Sequence, residues 1–180
     1  EPLGALDRIL REQLVADLRA ILKRIHLTAL YVTHDQDEAF AIADRIAIIH
    51  NGRIVQIGTP AEIYRAPASA FVAKFLGMTN LFEAHQRPDG NIETALGIFK
   101  SISLDPPRNP VALIRANAVR INANATGIAA RIEECIFRAG KYRLRVVTDT
   151  GARLTVETDH AIAIGARVGL KIDQVEIIPA

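Results

Sequence analysis

The residues best suited to chemistry in this 180-residue chain are His34 and the carboxylates beside it. The run Leu30-Tyr31-Val32-Thr33 is apolar and largely β-branched or aromatic, and it stops at His34. Asp35 follows as a helix N-cap, and Glu38 stands three residues on, the spacing of a capping box. His34 is therefore expected at the carboxyl end of a buried strand and against a helix N-terminus. In an open α/β sheet that edge is where ligands bind, and uncovered helix N–H groups suit phosphate. A lone strand-end histidine is more often a satisfied structural group, so the flanking elements decide its meaning.

Those elements follow from the pattern. Asp7 caps a helix expected to run to about Ile25, with Leu10, Leu14, Leu18, Ile21, Leu22 and Ile25 as one apolar stripe. Arg8, Arg11, Glu12, Arg19 and Lys23 fall mostly on the other side, and His26 closes the helix. Thr28 to Thr33 reads as a strand without polar alternation, the mark of a strand covered on both faces in a parallel sheet. A short helix from Gln36 to about Ala43 follows, then a strand from Arg45 to His50. Asn51-Gly52 predicts a two-residue hairpin turn returning through Arg53 to Ile57. Thr59-Pro60-Ala61-Glu62 combines an N-cap, proline at the first helical position and a capping-box glutamate. Ser69 caps a further helix that ends at Gly77, with Phe71 and Phe75 read as core contacts. Helix 8–25 ahead of a buried strand is the second half of a strand–helix–strand crossover. If its first strand ends just before Glu1, right-handed connection brings Glu1 and His34 to one sheet edge.

Composition narrows the class. Hydrophobic residues make up 49% and charged residues 23%, which is globular composition. No apolar run approaches the roughly 20 residues needed to cross a bilayer. No secretory leader pattern is present. The only cysteine, Cys135, excludes an internal disulfide and fits a reducing compartment. The net charge of +2 argues neither for nor against nucleic acid. Glu1, not methionine, opens the chain, which fits a piece of a longer protein.

After Gly77-Met78-Thr79-Asn80 the pattern changes to short alternating strands. Candidates are Leu81–Gln86, Val111–Ile114 after the proline-rich stretch 105–110, Ile128–Ile132, Tyr142–Val147, Arg153–Glu157, Val168–Ile172 and Val175–Ile178. Pro88-Asp89-Gly90-Asn91 and Thr148-Asp149-Thr150-Gly151 read as turns. Several short strands with turns between them predict a small antiparallel barrel.

Four ordered motifs in residues 1–80 carry a resemblance. They are Glu1-Pro2-Leu3-Gly4-Ala5-Leu6-Asp7, Thr33-His34-Asp35-Gln36 with Glu38-Ala39, Asn51 to Pro60 with Glu62-Ile63-Tyr64, and Phe71 to Gly77. Together they resemble the second half of an ATP-binding-cassette importer ATPase, of the group serving sugars, polyamines, sulfate or ferric iron. The second part resembles the transport-associated OB-type (TOBE) domain that follows such ATPases, with Ile114-Arg115-Ala116-Asn117 standing where the family has Ile-Arg-Pro-Glu. The resemblance implies an α/β stub at 1–80, the C-terminal half of a P-loop-type nucleotide-binding domain, and an OB-like barrel at 81–180. It implies that Glu1 is the general base, that His34 senses the γ-phosphate, and that Asp7 ends the D-loop against an opposing subunit. It further implies a parent that hydrolyses ATP with Mg2+ as a homodimer, on permease subunits at the cytoplasmic face of the membrane. Phosphoryl transfer needs chiefly an acceptor to orient water and donors on the γ-phosphate, the roles that the resemblance implies for Glu1 and His34.

The departures are large. No G-x-x-x-x-G-K-[ST] phosphate loop, Ser-Gly-Gly-Gln signature or Walker B aspartate occurs. No nucleotide or metal is therefore expected on this chain alone, nor activity. The alternative reading is a non-catalytic ligand-binding or dimerisation module of OB type. A nucleic-acid role for Arg138, Lys141, Arg143 and Arg145 is disfavoured, because single-strand binders stack bases on aromatics and this chain has no tryptophan. A solvated face or a subunit contact is the simpler expectation. His26, His50, His85 and His160 show no metal-ligand spacing with one another or with Cys135.

Overall fold

The computed structural model describes residues 7–100, 107, 109–122 and 126–180, without the Arg8 side chain. Glu1 and residues 105, 106 and 108 of the proline-rich stretch lie outside the described residues. The chain divides into two compact units, Glu1–Pro67 and Ala68–Ala180. Among the described residues, no helix is long and apolar enough to cross a membrane.

The first unit is α/β. Helix α1 (Arg8–Ile25) starts where Asp7 accepts the Leu10 N–H at 3.0 Å, and it ends at His26, whose left-handed φ of 52° turns the chain out of the helix. Its expected stripe is only partly covered. Leu18 and Leu22 are half-buried, whereas Leu10, Leu14, Ile21 and Ile25 stay exposed; the buried residue of the helix is Val15, outside that stripe. Helix α2 (Gln36–Ile42) packs on α1, where Arg19 donates to Ile42 O, and Arg19 and Lys23 converge on Asp44 just beyond it. Strands β1 (Ile46–His50) and β2 (Arg53–Gly58) pair antiparallel across Asn51 and Gly52, both with positive φ as the turn requires. Helix α3 (Pro60–Arg65) opens with the expected capping box: Glu62 N–H donates to Thr59 Oγ1 at 3.3 Å, and Thr59 N–H donates to Glu62 Oε2 at 2.8 Å.

The expected strand Thr28–Thr33 does not form. Residues 27–33 join no sheet, and Leu30 and Val32 are 94% and 77% exposed. A strand exists only through the ladder its neighbours supply, and among the described residues none pairs here.

In the second unit, helix α4 (Ala70–Phe75) is capped by Ser69 and buries Val72 and Ala73, the latter against Leu113 and Ile178. Phe71 and Phe75 contact each other, but Phe75 is exposed rather than core. Strands β3 (Leu81–Glu83) and β4 (His85–Gln86) replace the single strand expected at 81–86, broken at buried Ala84. β5 (Ile92–Thr94) and β6 (Gly97–Phe99) complete a small sheet of order β4-β5-β6. β7 (Pro110–Leu113) lies between β3 and the last strand, β13 (Glu176–Pro179).

The largest sheet holds β8 (Val119–Asn122), β9 (Ile128–Arg138), β10 (Lys141–Thr148), β11 (Arg153–Thr158) and β12 (Arg167–Ile172), in the order β11-β10-β9-β12-β8. Its inner face buries Val119, Ala130, Ile132, Leu144, Val146, Leu154, Val156, Val168 and Leu170 in one core. β9 and β10 form the longest hairpin, turned at Ala139 and Gly140 with φ of 50° and 85°.

The barrel expected at 81–180 is corrected by this topology. Closure requires the first and last strands of the sheet to pair, but β8 and β11 are both edges and do not pair with each other. The edge of β11 meets a side chain instead. Asn80, 2% exposed, donates its amide Nδ2 to Thr155 O at 2.7 Å, and its Oδ1 accepts Thr155 N–H at 2.7 Å. The fold is thus a mixed α/β region followed by a β-rich region with open sheets.

Candidate functional site around His34

His34 is exposed at a bend between the extended segment and α2. Asp35 caps α2 by accepting the N–H groups of Asp37 at 2.8 Å and Glu38 at 3.2 Å. This is the cap expected of Asp35, and it takes up first-turn donors that would otherwise suit phosphate. The capping box expected here is not completed by Glu38. The Asp35 N–H donates instead to Thr33 Oγ1 at 3.0 Å.

Glu38 turns inward and is 7% exposed. Its Oε2 accepts the Tyr31 hydroxyl at 2.9 Å and the Thr33 hydroxyl at 3.0 Å. Arg11, from the second turn of α1, brings its guanidinium to both carboxylates, 3.4 Å from Asp35 Oδ2 and 3.8 Å from Glu38 Oε1. Burying a carboxylate is costly unless charge and hydrogen bonds compensate, and two hydroxyls with a guanidinium do so here. Burial, and then the hydrogen bond to Glu38, raise the Tyr31 phenol above its ordinary range. At the far end of α2, Lys23 donates to Asp44 at 2.6 Å and holds that carboxyl below its usual range, with Arg19 adding to the effect.

Of the residues singled out for chemistry, Asp7 is the exposed cap of α1 and His34 the exposed residue at the bend, while Glu1 is outside the described residues. The Arg11 N–H donates to Asp7 O at 3.0 Å, so one helical turn separates the cap from the side chain that grips the His34 segment. Pattern reasoning put Arg11 and Arg19 on the solvent side of α1; both reach toward α2 instead. The available signal was charge: basic α1 faces a stretch carrying Asp35, Asp37, Glu38 and Asp44.

In the second unit, the basic cluster is largely matched by acids. Arg143 lies across from Glu157 and Arg145 across from Glu134, with contacts of 3.3 Å and 2.9 Å. Arg115, the last residue to keep the family motif before Ala116 and Asn117 depart from it, forks onto Glu176 at 2.6 Å and 3.1 Å, tying the end of β7 to β13.

Residues 112–177 match the TOBE domain family. The Fe(3+) ions import ATP-binding protein of Streptomyces coelicolor is 37% identical over 180 residues, covering 99% of this chain and 51% of that protein. The spermidine/putrescine import ATP-binding protein of Acetivibrio thermocellus is 33% identical, covering 98% and 51% respectively. A sulfate/thiosulfate import ATP-binding protein of Chromobacterium violaceum is 42% identical over 153 residues, covering 81% and 41%. These matches show a C-terminal TOBE domain and homology to the ATP-binding proteins of ATP-binding-cassette importers. The chain corresponds to the C-terminal ATPase and TOBE region of the nucleotide-binding subunit of such an importer. It spans about half the length of the curated relatives it matches.

Proposed function

We propose that the chain serves as the C-terminal region of an ATP-hydrolysing subunit that drives solute uptake through a membrane permease. The observation that carries this reading is alignment of 98–99% of the chain with subunits named for import and ATP binding. In this reading His34 donates to the γ-phosphate, Glu1 accepts from the attacking water, and Asp7 meets a second copy of the subunit across the dimer. ATP and Mg2+ are held by parts of the subunit that supply a phosphate loop and a metal carboxylate, which this chain lacks. Residues 1–80 belong to the ATPase part and 81–180 to the TOBE part, which makes dimer or regulatory contacts. The subunit sits peripherally on permease subunits at the cytoplasmic face and takes no nucleic acid.

The test is a full-length importer ATPase in which this chain supplies the C-terminal region. His34→Ala should lower ATP turnover at least 100-fold while nucleotide still binds. Turnover at the unsubstituted rate would sink the assignment of His34.

A further inference from the structure

The segment leading into His34 has no ladder to hold it. Residues 27–33 join no sheet, and Leu30 and Val32 face solvent, yet Tyr31 and Thr33 are drawn inward between them. Both hydroxyls end on one atom, Oε2 of Glu38. Glu38 itself lies on the other side of His34, in the first turn of α2, and Asp35 caps its N–H at 3.2 Å. The bend carrying His34 is thus closed by bonds that run across it, from the residues before the histidine to those after it. Arg11 then fastens this closed bend to α1 through Asp35 and Glu38.

We infer that Glu38, gripped by Arg11, is the positioning residue for His34. A buried ion pair is a poor source of net stability, because apolar side chains of similar volume often serve as well. What a buried carboxylate with several donors does supply is one defined arrangement of the groups that reach it. Here those groups flank an exposed imidazole on both sides. An imidazole that must donate to one phosphate oxygen gains from such a fixed approach, since small misplacement costs heavily in rate. The Tyr31 phenol, raised by burial and then by its bond to Glu38, is kept as a neutral donor to that carboxyl. Because Arg11 also lies one turn from Asp7, the same contacts tie the start of α1 to the histidine bend.

This inference rests on the role given to His34 above, and its test separates the two. In the 180-residue chain, ring signals of the five histidines and amide hydrogen exchange are compared among the parent, Glu38→Gln and Tyr31→Phe. Glu38→Gln should shift and broaden the His34 ring signals, leave those of His26, His50, His85 and His160 in place, and speed exchange at residues 33–38 at least tenfold. Tyr31→Phe removes a single donor and should produce a smaller change of the same kind, so the inference stays testable if Glu38→Gln does not fold. Unmoved His34 signals with exchange at 33–38 within twofold of the parent, in either folded variant, would overturn it. In the full-length ATPase, Glu38→Gln should lower kcat with KM for ATP unchanged, and Arg11→Lys should retain more of kcat than Arg11→Met. If the His34 signals move but His34→Ala leaves turnover intact, positioning stands and the catalytic reading of His34 fails.

Discussion

Asn80 and Thr155, 75 residues apart in sequence, exchange two hydrogen bonds of 2.7 Å each, side-chain amide to backbone N–H and C=O. A carboxamide has the donor and acceptor of a peptide unit, so Asn80 occupies the edge of β11 as one residue of a neighbouring strand would. Its own backbone O accepts the Ile114 N–H at 3.0 Å, and Thr79 reaches Thr155 Oγ1 at 3.0 Å. One residue of an otherwise open sheet edge is thereby paired without closing a barrel.

Asn80→Ala should destabilise the second unit by about 2–4 kcal/mol, because it strips both backbone groups of Thr155 of a buried partner. Asn80→Asp should also destabilise, since a carboxylate cannot donate to Thr155 O. Chemical denaturation followed by circular dichroism reads both; a change under about 0.5 kcal/mol for Asn80→Ala would contradict the role.

Tyr31 gives a pH dependence with a defined sign. Its phenol is raised in the folded chain, by burial first and then by the bond to Glu38. A raised folded value means the contribution is fully present below the unfolded value of 10.0 and is lost as pH rises through the folded one. Alkaline spectrophotometric titration should show one of the three tyrosines ionising late, and Tyr31→Phe should remove that step. A late step persisting in Tyr31→Phe would assign it elsewhere.

Arg115 and Glu176 form a forked, mostly buried pair at the end of β7. Arg115→Met should cost about 1.5–3 kcal/mol by leaving Glu176 without its charge-assisted partner. Arg115→Lys should recover only part of that, because an ammonium cannot fork. Equal stability of all three proteins in denaturant would show the pair to be dispensable.

Nucleic acid should not bind to the exposed sheet face. Arg143, Arg145, Arg153 and Arg167 contact Glu157, Glu134, Glu133 and Asp149 at 3.3, 2.9, 3.3 and 3.0 Å. Fluorescence anisotropy with a single-stranded oligonucleotide should stay flat at physiological salt; strongly salt-dependent binding would contradict this.

Local chemistry was legible and closure was not. Asn51-Gly52 and the Thr59–Glu62 box are written in neighbouring residues, and both form as read. The alternation at 142–147, 153–157 and 168–172 likewise gave β10, β11 and β12 their positions. Strand 28–33 failed because pairing depends on neighbours that periodicity does not report. β5, β6 and β8, with three or four residues each, are too short to show alternation. Barrel closure turned on what meets the edge of β11, and nothing in the spacing of Asn80 announced that a side chain would take that place. At the candidate site the Thr33–Asp35 motif was readable, whereas the inward turn of Glu38 and the reach of Arg11 are properties of packing.

The β9–β10 hairpin has a bearing on the order in which the second unit assembles. Its turn spans only Ala139 and Gly140, so its ladder zips from a loop that costs little chain entropy to close. The Asn80–Thr155 latch must instead bring together residues 75 positions apart. On entropic grounds the hairpin is an early template and the latch a late arrival. Ala139→Gly, by relaxing a left-handed alanine, should therefore quicken refolding, while Asn80→Ala should chiefly hasten unfolding.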